Sequence, residues 1–74
     1  MYNGHRTRNC WNVNLWINND EGLYRLACEA VRRHRTKPQA AQWVLDTLHD
    51  SGITETPDGV RYSRSAILFA LRGI

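Results

Sequence analysis

The chain has 74 residues and a formal net charge of +3, with ten Lys and Arg set against seven Asp and Glu. That length bounds it to one domain at most, whose core rarely supplies more than ~3–5 kcal/mol. Its two cysteines, Cys10 and Cys28, are too few for a disulfide scaffold, and no apolar run approaches the ~18 residues of a membrane span.

The polar start Met1-Tyr2-Asn3-Gly4-His5-Arg6 predicts no signal peptide. The expectation is a cytoplasmic protein with reduced thiols and no membrane partner. A basic balance favours an acidic partner, either nucleic acid or an acidic protein face, although the same charge also serves solubility.

Residues 1–8 lack periodicity and read as a flexible basic arm carrying Arg6 and Arg8. The stretch from Asn9 to Asp20 fits two patterns. Alternation puts Trp11, Val13, Leu15 and Ile17 on one face of a strand, whereas helical spacing groups Trp11 with Leu15, and Val13 with Trp16 and Ile17. A strand needs a pairing partner. The only other strand-like piece, Gly59-Val60-Arg61-Tyr62, is short. The favoured reading is therefore a short helix with Asn9 as its N-cap.

Asp20 reads as the cap of a second helix, with Glu21 in its first turn. Leu23, Leu26, Ala27, Ala30 and Val31 recur at amphipathic spacing, and Arg32, Arg33, His34 and Arg35 complement the negative end of the helix dipole. Thr36-Lys37-Pro38 breaks the chain and restarts it, with Pro38 in the first turn of a third helix. Ala41, Val44, Leu45 and Leu48 make that helix's stripe, and Gly52 is placed for a left-handed C-terminal cap.

Residues 53–62 form a connection around the turn Thr56-Pro57-Asp58-Gly59. Ser63 then caps a last helix, Ile67-Leu68-Phe69-Ala70-Leu71, which Gly73 ends. This helix is apolar nearly all round, so it is either central or docked on a partner. The expected architecture is all-α: one helical domain over 1–74, of four short helices or of three with a packed N-terminal turn, and an irregular or hairpin-like segment at 53–62. Its expected core is Trp11, Leu15, Leu26, Val44, Leu48, Ile67 and Leu71.

No chemistry-bearing constellation stands out. His5, His34 and His49 are scattered, no Ser or Cys has a nucleophile signature, and no Gly-rich phosphate loop is present. The expectation is a protein that is not an enzyme and needs no metal or cofactor, since no Cys or His pair has zinc-ligand spacing. The clearest electrostatic feature is the basic run Arg32, Arg33, Arg35 and Lys37. It would attract phosphate, or it is a solvated helix end offsetting its dipole.

Trp43 lies off its helix stripe and, with Leu68 and Phe69, is a candidate anchor for a partner. Asn12, Asn14, Asn18 and Asn19 are poor residues for a helix interior. Their presence implies specific hydrogen bonds, within the domain in the favoured reading or to a partner in the other.

Two segments resemble known families. The stretch Trp11-Asn12-Val13-Asn14-Leu15-Trp16-Ile17-Asn18-Asn19-Asp20-Glu21-Gly22-Leu23-Tyr24 resembles the opening of a family of small uncharacterised phage and prophage proteins. That resemblance implies a mobile-element setting and carries no activity. Residues Ala41–Leu71 are similar to part of the DNA-binding region of serine recombinases, through a helix, Gly52-Ile53, the Thr56-Pro57-Asp58-Gly59 turn, Tyr62-Ser63 and a closing helix with Ile67 and Leu71. This implies a DNA-contacting unit. The recombinase helix is rich in arginine, whereas Ile67-Leu68-Phe69-Ala70-Leu71 offers base edges little to bond.

The leading expectation is a non-catalytic phage-type protein that binds a host protein or protein–nucleic acid complex stoichiometrically, most concretely an anti-CRISPR-like inhibitor of host defence. The second is a small DNA- or RNA-binding protein of helix-turn-helix type. The third is an assembly protein that forms a homodimer through Leu68 and Phe69.

Overall fold

A computed structural model describes residues 8–74. The order is α1 (Arg8–Asn19), α2 (Glu21–Arg33), α3 (Lys37–Asp50) and α4 (Arg64–Leu71). The fold is all-α.

Local chemistry sets most of the helix ends. Asp20, Thr36 and Ser63 each have extended backbone, and each side chain accepts from an otherwise orphaned N–H, of Leu23, Gln39 and Ala66 respectively. Pro38 occupies the first turn of α3. The helix stops at a Schellman motif: Gly52 N donates to His49 O at 2.9 Å and Ile53 N to Leu48 O at 2.8 Å. Gly52 has φ +78°, which a Cβ would disfavour.

Two expectations at the N-terminus change. Arg8 is helical, so Asn9 lies inside the first turn of α1 and does not cap it. The expected arm, residues 1–8 with Arg6, falls outside the described residues except for Arg8.

The core is built on small residues. Ala27, Ala30, Ala40 and Ala41 are all buried, which lets α2 and α3 pack antiparallel at close range across the short link at 34–36. Helix α4 packs against both α1 and α3, burying Ala66, Ile67, Ala70 and Leu71. That sandwiched position explains why it is apolar nearly all round.

The expected core is corrected in part. Val44, Leu48, Ile67 and Leu71 are buried, but Trp11, Leu15 and Leu26 are only half-buried. In α1 the buried arc is Asn12, Val13 and Ile17. At about 100° per residue, Trp11 and Leu15 lie well round the helix from Val13. In α2 the alanines take the innermost positions and leave Leu26 at the edge of a groove described below.

Residues 55–61 form a miniature hairpin with a single antiparallel bridge, Glu55 to Arg61. Thr56 N donates to Val60 O at 2.8 Å, Gly59 N to Thr56 O at 2.8 Å and Tyr62 N to Thr54 O at 3.0 Å. Gly59 has φ +83°, the left-handed residue that a three-residue hairpin loop commonly uses. Val60 and Tyr62 are buried and tie this loop to the core. No helix among the described residues is long and apolar enough to cross a membrane.

Ile67 is fully buried where three helices meet. Ile67→Ala should lower unfolding free energy by about 2–5 kcal/mol, a large share of what a chain this size holds. Urea unfolding followed by circular dichroism measures this, with Arg72→Ala as a surface control that should move the midpoint little.

Candidate functional site

The asparagine- and tryptophan-rich helix α1 and the turn at 56–59 are joined by a polar clasp. Asn12 is 2% exposed. Its Oδ1 accepts from Thr56 Oγ1 at 2.7 Å, and its Nδ2 donates to Asp58 Oδ2 at 2.8 Å. Trp16 Nε1 donates to the same carboxylate oxygen at 2.9 Å. Thr56 Oγ1 also accepts from Val60 N at 3.1 Å, so a buried hydroxyl links the helix to the hairpin backbone. The Asn12 and Trp16 hydrogen bonds, in that order, hold the Asp58 carboxyl below its ordinary range against a small opposing burial effect, and Arg8 adds to the lowering.

Two members of the clasp, Trp16 and Thr56, form part of one wall of an open groove of ≈ 520 Å³. Trp16 and Asp20 enter it from the end of α1 and the α2 cap. Leu23 and Leu26 enter from α2, Thr47, Leu48 and Ser51 from the end of α3, and Ile53, Glu55, Thr56, Pro57 and Tyr62 from the following segment. Its volume falls in the range of binding pockets, and its floor is apolar. Ile53 is 41% exposed, one of two large hydrophobic residues so open to solvent among those described; Tyr24, beside Leu23, is the other. Burial, then the Asp20 charge, push the Tyr62 phenol up, so it enters the groove as a neutral group.

The sequence-predicted residues fall elsewhere. Arg32 pairs with Glu29 at 2.8 Å, and Arg33 reaches the same carboxylate at 3.8 Å. The Arg33 guanidinium also lies 5.4 Å from the centroid of the Trp43 ring. The His34 ring packs against Trp43 at 5.7 Å, leaving His34 Nε2 buried without a hydrogen-bond partner. Trp43 is therefore half-buried and covered by the basic corner rather than projecting as an open anchor. Lys37 Nζ points to Ile74 O at 3.4 Å, and Arg35 is exposed.

Leu68 and Phe69 are half-buried and line a second cleft of ≈ 370 Å³ with Asn9, Cys10, Ser63, Ser65 and Arg72. Arg8 begins α1, and Arg6 lies outside the described residues. Among the described residues no group of His, Cys, Asp and Glu is arranged to hold a metal ion.

Sequence reasoning missed the groove because its lining comes from two distant stretches, 16–26 and 47–62, each running across element boundaries. Ile53 and Pro57, apolar residues outside every helix stripe, are the traces of it that a sequence could have offered.

The chain belongs to a family of unknown function, DUF7249, whose family model matches residues 1–70. No curated protein and no solved structure matches it.

Because the Asp58 pKa is lowered on folding, the clasp's stabilisation is complete above the ordinary carboxylate value and is lost as pH falls through the lowered one. Amide protection factors at Thr56 and Tyr62, taken against the intrinsic exchange rate at each pH, should hold above ~pH 4 and fall below it before global unfolding. Asp58→Asn should remove that acid step. Asn12→Ala should cost about 1–3 kcal/mol, measured by urea unfolding, because it strands the buried Thr56 hydroxyl.

Proposed function

We propose that this member of DUF7249 is a non-catalytic binding protein that docks stoichiometrically onto a protein partner through the groove between α2, the end of α3 and the 53–62 hairpin. The observation that carries this reading is the groove itself: an open apolar floor whose wall is braced by a polar clasp buried at Asn12 and Thr56. A braced wall keeps the surface formed before a partner arrives, which lowers the ordering cost of docking. Within this reading the finer version is an inhibitor of host defence of the anti-CRISPR kind, acting in the host cytosol on a protein or nucleoprotein complex. The phage-family resemblance of residues 11–24 supports that setting.

A second reading is nucleic-acid binding. Its support is the exposure of Arg35, Arg61, Arg64 and Arg72, none of which is in an ion pair among the described residues. Against it, α4 turns Ile67, Ala70 and Leu71 into the core, so the helix that corresponds to the recombinase DNA-contacting helix is spent on packing.

Two measurements separate the readings. Immobilised protein should retain one host protein in a 1:1 ratio, and Ile53→Asp should abolish that retention without changing the fold seen by circular dichroism. Retention unchanged by Ile53→Asp would sink the groove reading. Binding of duplex DNA at ~50 mM salt, weakening steeply as salt rises, would favour the second.

A further inference from the structure

The groove has a charge character opposite to that of the chain. Its lining holds two carboxylates, Asp20 and Glu55, and no Lys, Arg or His. Glu55 is exposed and forms no ion pair among the described residues, even with Arg61 across the hairpin bridge. Asp20 uses Oδ1 to cap α2 and stands exposed in the groove lining. Asp50 precedes Ser51 at the end of α3, and Glu21 follows Asp20, its own carboxylate held by Arg25. Apart from Arg25, which is paired with Glu21, the Lys and Arg side chains of this helix pair and its link lie at the opposite end, in Arg32, Arg33, Arg35 and Lys37. The 13 residues of α2 put about 20 Å between the two ends.

An apolar floor with an acidic rim discriminates among partners. An acidic segment entering it would meet like charge, and a neutral one would strip water from the carboxylates without replacing it. Only a segment carrying both apolar and cationic side chains satisfies floor and rim together. We infer that the groove receives a cationic amphipathic segment of the partner protein, with apolar side chains seated among Leu23, Leu26 and Ile53 and Lys or Arg side chains facing Asp20 and Glu55. This inference rests on the groove being the docking surface. It runs against the expectation, drawn from net charge, that a basic chain seeks an acidic partner.

The probes are two labelled synthetic peptides of about 14 residues with the same helical apolar spacing, one built from leucine and lysine and one from leucine and glutamate. Fluorescence anisotropy gives affinities, and NMR shifts of the Leu23, Ile53 and Tyr62 amides locate binding on the full chain. The lysine peptide should bind, shift those amides and weaken with salt. Glu55→Lys should weaken it about fivefold, and Ile53→Asp should abolish it. Equal binding of the glutamate peptide, or no effect of Glu55→Lys, overturns the cationic assignment while leaving the groove as the docking surface. Failure of both peptides to shift the groove amides overturns the groove reading too. Concentration-dependent shifts of the same amides in the chain alone would assign the groove to a second copy, with its Arg32–Lys37 corner as the ligand, and would overturn a separate partner.

Discussion

Asn12 is buried inside α1, where an asparagine weakens the helix by offering the backbone rival hydrogen bonds. It stays because its amide is used from both ends, accepting a hydrogen bond from Thr56 and donating one to Asp58. The 53–62 stretch is too short to hold a stable hairpin on its own, with a single bridge and a three-residue loop. The clasp from α1 and the burial of Val60 and Tyr62 complete it. Everything downstream depends on that: the hairpin places Ile53, Glu55 and Pro57 over the ends of α2 and α3, and the entry to α4 begins where the hairpin ends.

Two styles of packing divide the work. The pairing of α2 with α3 relies on alanines, which approach closely and lose little side-chain entropy on burial. The pairing of α4 with α1 and α3 relies on branched aliphatic bulk in Val13, Ile17, Ile67 and Leu71. Larger residues on α2, such as Leu23 and Leu26, are thereby displaced to the perimeter and become groove floor. The groove is the by-product of small residues at the centre of an interface and large ones at its margin.

Much of the architecture is legible in the sequence because it is encoded within a few residues. Asp20, Thr36 and Ser63 cap helices through contacts three residues away, and Gly52 closes α3 through contacts three to five residues back. The all-α class and the hairpin-like segment follow from the same local signals. The α1 cap was misread because Asn9 has the right chemistry in the wrong register. The asparagines pointed to internal hydrogen bonds, and Asn12 makes them, but its partners lie 44 and 46 residues away, a separation no periodicity can reveal. In the sequence Trp43 and the basic run are separate candidates, one an anchor and the other an electrostatic patch. In the fold they are adjacent because Arg33 stacks on the indole, so the aromatic that looked available is shielded by the cation that made the patch look attractive.

The antiparallel pairing of α2 and α3 has one more consequence. It sets Asp20 and Asp50 near one pole, and Arg32 and Arg33 with their partner Glu29 near the other, while the two opposed helix macrodipoles largely cancel. The α2–α3 pair therefore carries a side-chain dipole of its own within a chain of net positive charge. In the field of a charged assembly such a dipole contributes a torque before contact. Orientation of this kind raises the fraction of collisions that are productive without adding a single contact to the bound state.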